Sequence, residues 1–185
     1  MIGADLFVDK IEKLGVEFFT GVPDSQLKPF TNEIISRYGV GEKNVIAANE
    51  GNAVGLASGY YIAKAKPACV YLQNSGLGNI FNPVTSLTNE DVYGIPVLYV
   101  VGWRGEPEIH DEPQHIFQGK ITLQTLELLN IKAFVISQDI TTEKIADIFD
   151  EISERFLNRQ SSALVIKKGA LENKIKVQFN NHNTL

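Results

Sequence analysis

A single carboxylate between an apolar run and a stretch of small residues is the strongest chemical signal in the sequence. Residues 45–48 are apolar, Glu50 follows, and residues 51–59 are rich in glycine, alanine and serine. This pattern predicts a strand that ends just before Glu50 and a helix that begins there. Open parallel sheets bind ligands at the edge where their strands end. Glu50 is therefore our candidate for an acid that activates a cofactor.

A purely structural explanation of Glu50 stays open at this point. The helix dipole favours an acidic side chain in the first turn of any helix. Gly55 and Gly59 give a second hint, because glycine inside a helix costs about 1 kcal/mol relative to alanine. The usual reason for such glycines is that a neighbouring backbone or a partner chain comes close to the helix. Their presence therefore favours a functional role for this helix only slightly.

Three other segments follow apolar runs and carry polar or ionisable groups: residues 21–25, 74–79 and 103–115. Gly76 and Gly78 are placed to bring backbone N–H groups against a ligand. The segment 74–79 is not a P-loop, because no lysine follows it, and it lacks the third glycine of the dinucleotide fingerprint. A plain turn between a strand and a helix explains it equally well.

The segment 103–115 combines one arginine with several acids. Arg104 is suited to holding an oxyanion with two hydrogen bonds, or to ordering its own loop by pairing with a nearby acid: Glu106, Glu108, Asp111 or Glu112. His115 is either a proton donor or a cap for the next helix. We expect no metal site made by this chain alone, because the histidines do not share a ligand-like spacing and no Cys-x-x-Cys pattern occurs.

Strand-like and helix-like patterns alternate along the whole chain. Apolar runs predict strands at residues 16–20, 45–48, 68–73, 97–102, 133–137 and 162–167. Because these runs are apolar throughout, both faces of the sheet should be covered by helices. The prediction is an α/β domain of three layers with a six-stranded, mostly parallel sheet over residues 1–170. The polar residues 171–185 are predicted to begin a linker.

Composition excludes several classes of function. The chain has 185 residues, a formal net charge of −5 and no basic cluster, so nucleic-acid binding is not expected. No apolar run approaches the length needed to cross a bilayer, and the first residues lack a signal-peptide pattern. The lone cysteine, Cys69, lies in an apolar run and is expected to be buried and inert. Together these features predict a cytoplasmic protein.

Four loops in this order resemble the pyrimidine-binding domain of thiamine diphosphate-dependent decarboxylases. The resemblance is closest to the branch that acts on phosphonopyruvate and sulfopyruvate, and it covers about residues 5–170. It is carried by the sequences Gly21-Val22-Pro23-Asp24-Ser25, Ala47-Ala48-Asn49-Glu50-Gly51-Asn52-Ala53, Gln73-Asn74-Ser75-Gly76-Leu77-Gly78-Asn79 and Gly102-Trp103-Arg104-Gly105-Glu106-Pro107.

The resemblance implies specific roles for several of these residues. In the family, the acid equivalent to Glu50 hydrogen-bonds the aminopyrimidine ring and promotes the tautomer that activates the cofactor. Asn74 and Gly76 would then lie against the cofactor. The remaining loop residues would face a 2-oxo acid with an anionic tail, and the substrate-binding candidates are Asp24, Ser25, Asn79, Arg104, Gln114 and His115.

One departure from the family pattern concerns the other half of the cofactor. The family holds the diphosphate and its Mg²⁺ through a second domain with a Gly-Asp-Gly motif, which this sequence lacks. The resemblance therefore implies a diphosphate-binding domain elsewhere, either further along a longer chain or on a separate subunit for which this chain is the α subunit. It also implies a homo-oligomer, with the cofactor between subunits.

Three functions remain open from the sequence. The first is decarboxylation of 3-phosphonopyruvate to phosphonoacetaldehyde and carbon dioxide, with thiamine diphosphate as cofactor. The second is the same reaction on sulfopyruvate, because the loops do not distinguish a phosphonate from a sulfonate. The third is a non-catalytic binding or assembly domain of the same fold, and the presence of Glu50 argues against it.

Overall fold

The secondary structure alternates between strands and helices, as the sequence predicts. The structure is a computed structural model and describes residues 1–173. Its strands and α-helices, in chain order, are β1 (Ile2–Gly3), α1 (Ala4–Lys13), β2 (Phe19–Gly21), α2 (Lys28–Tyr38), β3 (Asn44–Ile46), α3 (Glu50–Lys64), β4 (Ala68–Gln73), α4 (Leu77–Pro83), β5 (Val97–Gly102), α5 (Pro113–Leu128), β6 (Lys132–Ile136), α6 (Thr142–Leu157), β7 (Ser162–Ile166) and β8 (Leu171–Glu172).

The main sheet has six strands in the order β3-β2-β4-β5-β7-β6, and every neighbouring pair is parallel. All the loops that leave the carboxyl ends of these strands therefore emerge at one edge of the sheet. The four loops singled out in the sequence share that edge, which confirms the predicted α/β architecture. The chain moves outward from β2 to β3 and returns past β2 to β4, so the edge opens between β2 and β4.

Helices cover both faces of the sheet and form two separate cores. One core joins α1, α2 and α6 to side chains such as Cys69 and Val100, and the other joins α3, α4 and α5 to side chains such as Val70 and Tyr99. Neighbouring residues of a strand point to opposite faces, so β4 and β5 contribute to both cores. This is why these strands are apolar throughout. Cys69 is fully buried, and its burial raises the pKa of the thiol.

A second, two-stranded sheet was not predicted from the sequence. Ile2 and Gly3 of β1 pair in parallel with Leu171 and Glu172 of β8, and Leu171 is buried against the core below α1, α2 and α6. Strands of two residues are too short to give a periodic pattern. Ordered contacts thus continue two residues beyond the predicted end of the domain, and residues 174–185 of the predicted linker lie outside the described part.

Proline residues shape two of the helices at the edge of the sheet. The helix α5 spans Pro113–Leu128 without a break and begins at Pro113, where proline is tolerated because the first N–H groups of a helix have no partner. The helical segment after β4 divides at Pro83 into α4 and a wider π-helical turn, Val84–Thr88. Proline removes a backbone hydrogen bond inside a helix, which explains the change of geometry.

Candidate functional site

Glu50 is the first residue of α3, at the edge of the sheet where the strands end. The Asn49 side chain precedes it and caps the helix by accepting a hydrogen bond from the Asn52 backbone N–H at 2.9 Å. This cap fixes the direction in which α3 leaves the sheet. Glu50 is only 9% exposed, so its carboxyl group lies in a largely dry environment rather than in bulk water.

The Glu50 carboxyl group is held by the segment that follows β4. Oε2 accepts a hydrogen bond from Asn79 Nδ2 at 2.6 Å. Oε1 lies over Gly76, where a Cβ atom would come within 2.4 Å of it. Among residues 1–173, no group donates a hydrogen bond to Oε1. The fold thus brings Glu50, Gly76 and Asn79 together and leaves Oε1 without a donor among residues 1–173.

Asn74 lies next to this group but points toward the loop that follows β5. Its Nδ2 donates to Arg104 O at 2.8 Å and to Thr122 Oγ1 at 2.9 Å. Its Oδ1 accepts from Arg104 N at 3.1 Å. Asn74 is 1% exposed, and its amide is committed to joining the ends of β4 and β5 to α5. These contacts make it a positioning residue for the edge.

Asp24 joins the loop after β2 to the end of β4. Its Oδ2 caps a short 3₁₀ turn by accepting from Gln26 N at 2.9 Å, and its Oδ1 accepts from Gln73 Nε2 at 2.6 Å. Gly102, at the end of β5, leaves room for this carboxylate, since a Cβ there would lie 2.6 Å from Asp24 Oδ2. Asp24 therefore fastens together the three strand ends on which the candidate site stands.

Arg104 pairs with an acid of its own loop, which is one of the two alternatives that the sequence left open. Its Nε and NH2 donate to the two carboxylate oxygens of Asp111 at 2.8 and 2.6 Å. The pairing raises the pKa of Arg104, and it holds the pKa of Asp111 well below its ordinary value. The remaining nitrogen, NH1, donates to Ser25 Oγ at 3.3 Å. The bidentate edge of this guanidinium is therefore occupied.

The loop after β5 is shaped by close packing between two glycines. Gly105 has φ +64°, and a Cβ at Gly119 would meet the Gly105 carbonyl oxygen at 1.6 Å. Trp103 Nε1 also donates to Gly119 O at 2.9 Å. As a result the first turn of α5, which carries Gln114 and His115, lies directly beside this loop. Gln114 is exposed and His115 is half-buried.

A buried acid that the sequence did not single out as a site residue lies in the same loop. Glu106 is 6% exposed, and its carboxylate contacts Lys167 Nζ and Lys168 N, each at 3.3 Å. It therefore ties the loop after β5 to the end of β7 instead of pairing with Arg104. The sequence offers little indication of this contact. Four acids follow Arg104 within eight residues, and their spacing does not show that Asp111 rather than Glu106 pairs with it.

Residues 1–173 contain neither a metal-ligating cluster nor a helix that could span a membrane. Across residues 1–173, no group of three or more His, Cys, Asp or Glu side chains is arranged to hold a metal ion. Within the same range, none of the helices combines the length and the apolar character that crossing a lipid bilayer requires.

Comparison with known proteins identifies the family. Residues 1–128 match the family described as thiamine pyrophosphate enzyme, N-terminal TPP binding domain. The chain belongs to this family. The matched residues include Glu50, Gly76, Asn79 and Arg104.

Individual relatives fall into two groups. The chain is 37% identical over 149 residues to phosphonopyruvate decarboxylase of Streptomyces viridochromogenes, a match that covers 80% of this chain and 36% of that protein. It is 32% identical over 160 residues to phosphonopyruvate decarboxylase of Streptomyces hygroscopicus, covering 86% and 38%. It is 30% identical over 152 residues to sulfopyruvate decarboxylase subunit alpha of Methanococcus maripaludis, covering 82% and 86%. The chain thus spans little more than a third of the length of the phosphonopyruvate decarboxylases that it matches.

Proposed function

We propose that this chain supplies the acid-bearing half of a thiamine diphosphate site and that the complete enzyme decarboxylates 3-phosphonopyruvate to phosphonoacetaldehyde and carbon dioxide. The observation that carries the proposal is the Glu50 carboxyl group, which is largely buried, is held on one oxygen by Asn79 and has a second oxygen without a donor among residues 1–173. The relatives that carry the name phosphonopyruvate decarboxylase support the choice of substrate.

The residues around Glu50 fit the pyrimidine end of this cofactor. A carboxyl group with one unpartnered oxygen in a poorly solvated place is suited to sharing a proton with a ring nitrogen. Gly76 permits the carboxyl group to lie where any side chain would displace it. When bound, thiamine diphosphate supplies the carbanion-stabilising chemistry of the reaction.

The protein's own part in the reaction is to orient groups and to hold a proton. Glu50 would hold the proton that it shares with the cofactor through Oε1, while Asn79 keeps Oε2 in place. Asn74 and Asp24 fasten the strand ends, so the loops that face the substrate keep a fixed spacing. Ser25, Gln114 and His115 have polar groups at the same edge and are candidates for binding the substrate.

The diphosphate and Mg²⁺ require a second domain in this proposal. The sequence has no Gly-Asp-Gly motif, and the described residues offer no metal-ligating cluster. The domain would come from the same polypeptide or from another chain, and an oligomer would bring it to Glu50. A location in the cytoplasm belongs to the same proposal.

Sulfopyruvate is the second candidate substrate. The observation in its favour is that this chain covers 86% of the sulfopyruvate decarboxylase alpha subunit of Methanococcus maripaludis, which is a separate chain of similar extent. In that case this chain would work as an α subunit. Assays of the complete enzyme with both substrates in competition distinguish the two possibilities.

The test of the proposal is the turnover of the complete enzyme after Glu50→Gln. The substitution preserves size but removes the group that shares the proton, so turnover should fall at least a hundredfold while the melting temperature stays close to that of the original protein. Glu42→Gln is the matched control, because Glu42 is exposed in the loop before β3. Normal turnover of Glu50→Gln would refute the proposal, and absence of turnover in the unmodified enzyme would favour the non-catalytic alternative.

A further inference from the structure

A polar cavity opens at the same edge of the sheet, beside Arg104. Its volume is about 460 Å³, and it lies between the loop after β2, the loop after β5 and the turn that joins β7 to β8. The charged and hydroxyl groups that line it are Ser25, Lys28, Arg104, Asp111 and Lys168. A cavity of this size and polarity accommodates a small organic anion.

The charges around the cavity do not cancel. Asp111 is paired with Arg104 through two hydrogen bonds and is thereby neutralised. Asp24 lies near Arg104 and keeps its negative charge, but it is not among the residues that line the cavity. Within residues 1–173, neither of the two lysines has an ion-pair partner. The residues that line the cavity therefore carry three positive charges, on Lys28, Arg104 and Lys168, and one negative charge, on Asp111.

The backbone positions of both lysines are fixed. Lys28 is the first residue of α2, directly after the 3₁₀ turn that Asp24 caps. Lys168 is held from two sides, because its N–H donates to Glu106 Oε2 at 3.3 Å and its carbonyl accepts from Gln138 Nε2 at 3.1 Å. Two cations that start from fixed backbone positions can converge on one anion at a smaller entropic cost than two cations on mobile loops.

A short segment, residues 73–76, connects the wall of the cavity to Glu50. Gln73 contacts Asp24, the neighbour of Ser25 in the cavity wall, whereas Gly76 contacts the Glu50 carboxyl group. Three peptide units separate these two residues, which is at most about 11 Å even for an extended chain, and residues 74–76 form a 3₁₀ turn, which is shorter. The cavity wall and the Glu50 carboxyl group therefore contact opposite ends of the same short segment, residues 73–76.

We propose that this cavity binds the tetrahedral anionic end of the substrate and that Lys28 and Lys168 determine the preference for a phosphonate over a sulfonate. The proposal rests on the proposed function and adds the residues that select the substrate. A phosphonate carries about −1.5 to −2 charges near neutral pH if it titrates like a phosphate ester, whereas a sulfonate carries a single negative charge. Two unpaired lysines match the dianion better, with Ser25 Oγ as a further hydrogen-bond donor.

Binding of anions to the chain itself is the first arm of the test. Calorimetry at pH 8 compares methylphosphonate, the dianionic probe, with methanesulfonate, the monoanionic probe. Methylphosphonate should bind more tightly, and Lys28→Gln or Lys168→Gln should weaken its binding at least tenfold. Lys13→Gln, at the exposed end of α1, is the matched control and should change nothing. Equal affinity in all variants, or no measurable binding of methylphosphonate to the unmodified chain, would overturn the proposal.

Steady-state kinetics of the complete enzyme are the second arm. The ratio of kcat/KM for phosphonopyruvate to that for sulfopyruvate should fall at least tenfold in either lysine variant, through KM and with kcat preserved. An unchanged ratio would overturn the assignment even if anion binding were lost, because the cavity would then be separate from the substrate.

A failure of the anion-cavity proposal is distinguishable from a failure of the proposed function. If Glu50→Gln remained active while the lysine variants lost methylphosphonate binding and discrimination between substrates, the assignment of the acid would fall and the anion cavity would stand.

Discussion

Glu50 and Arg104 lie at the same edge of the sheet, yet the protein treats their charges differently. Both oxygens of Asp111 are directed at the Arg104 guanidinium. The Glu50 carboxylate instead receives one hydrogen bond, from Asn79, and keeps one oxygen without a donor among residues 1–173. The structure thus uses one charged group to order a loop and leaves another available for chemistry.

The difference shows that charge and position at a strand end do not by themselves make a site. Arg104 has the residue type expected of an oxyanion clamp, but its bidentate edge is satisfied within the loop. The Glu50 carboxylate, in contrast, has only one oxygen that accepts a side-chain hydrogen bond among residues 1–173, so the other oxygen is free to accept one from a ligand. Such a group therefore indicates function more strongly than a paired arginine does.

Of the substitutions that test this difference between Glu50 and Arg104, Gly76→Ala should have the largest effect. The Gly76 backbone has φ −71° and ψ −9°, which alanine adopts freely, but the new Cβ would lie 2.4 Å from Glu50 Oε1. The carboxyl group must move, so turnover of the complete enzyme should fall a hundredfold or more with little loss of stability. Gly78→Ala is the matched control, because nothing lies within 4 Å of a Cβ there. Equal activity of the two variants would contradict the account.

Asn79→Ala should have the next largest effect. It removes the donor at 2.6 Å from Glu50 Oε2, and a hydrogen bond to a charged group contributes about 1.5–3 kcal/mol. We expect kcat/KM to fall about ten- to a hundredfold, because the carboxyl group loses its fixed orientation. Since Asn79 is exposed, the variant should still fold. An unchanged kcat/KM in a normally folded variant would show that Asn79 does not orient Glu50.

The sequence predicts the sheet and the position of Glu50 at the start of a helix, but it does not predict the pairing of the loop charges. Apolar runs such as residues 97–102 identify strands because burial on both faces is a property of each residue. Glu50 is recognisable because a single acid follows such a run. Asp111 and Glu106, in contrast, acquire different partners only through the turn at Gly105 and the packing of Gly119, which depend on contacts distant in sequence.

Asp111→Asn should lower the free energy of unfolding by about 1 kcal/mol, which is the order of magnitude of a hydrogen bond to a charged group at a partly exposed position. Arg104 lowers the pKa of Asp111 in the folded state, so the unfolded chain binds its proton more readily. The contribution of Asp111 is therefore present above about pH 4, the unfolded value, and is lost as the pH falls toward the folded value. Urea midpoints measured from pH 7 to pH 2 should converge for the two proteins, whereas a constant difference would contradict the pairing.

Gly55→Ala should have the smallest effect and the opposite sign. Nothing in the described residues lies within 4 Å of a Cβ at Gly55, and alanine is favoured over glycine inside a helix by about 1 kcal/mol. The melting temperature of this chain should rise by a few degrees. If a partner approaches α3 here, association with the diphosphate-binding domain should weaken in the same variant. A lower melting temperature would point to a contact within the chain.

The most direct test of the central claim is the rate at which bound thiamine diphosphate exchanges its reactive thiazolium proton for deuterium, followed by NMR in the complete enzyme. This rate reports proton removal without requiring a substrate to be chosen. The account predicts that Glu50→Gln slows the exchange at least a hundredfold, while Glu42→Gln leaves it unchanged. Equal exchange rates in the two variants, at equal occupancy by the cofactor, would contradict the role of Glu50.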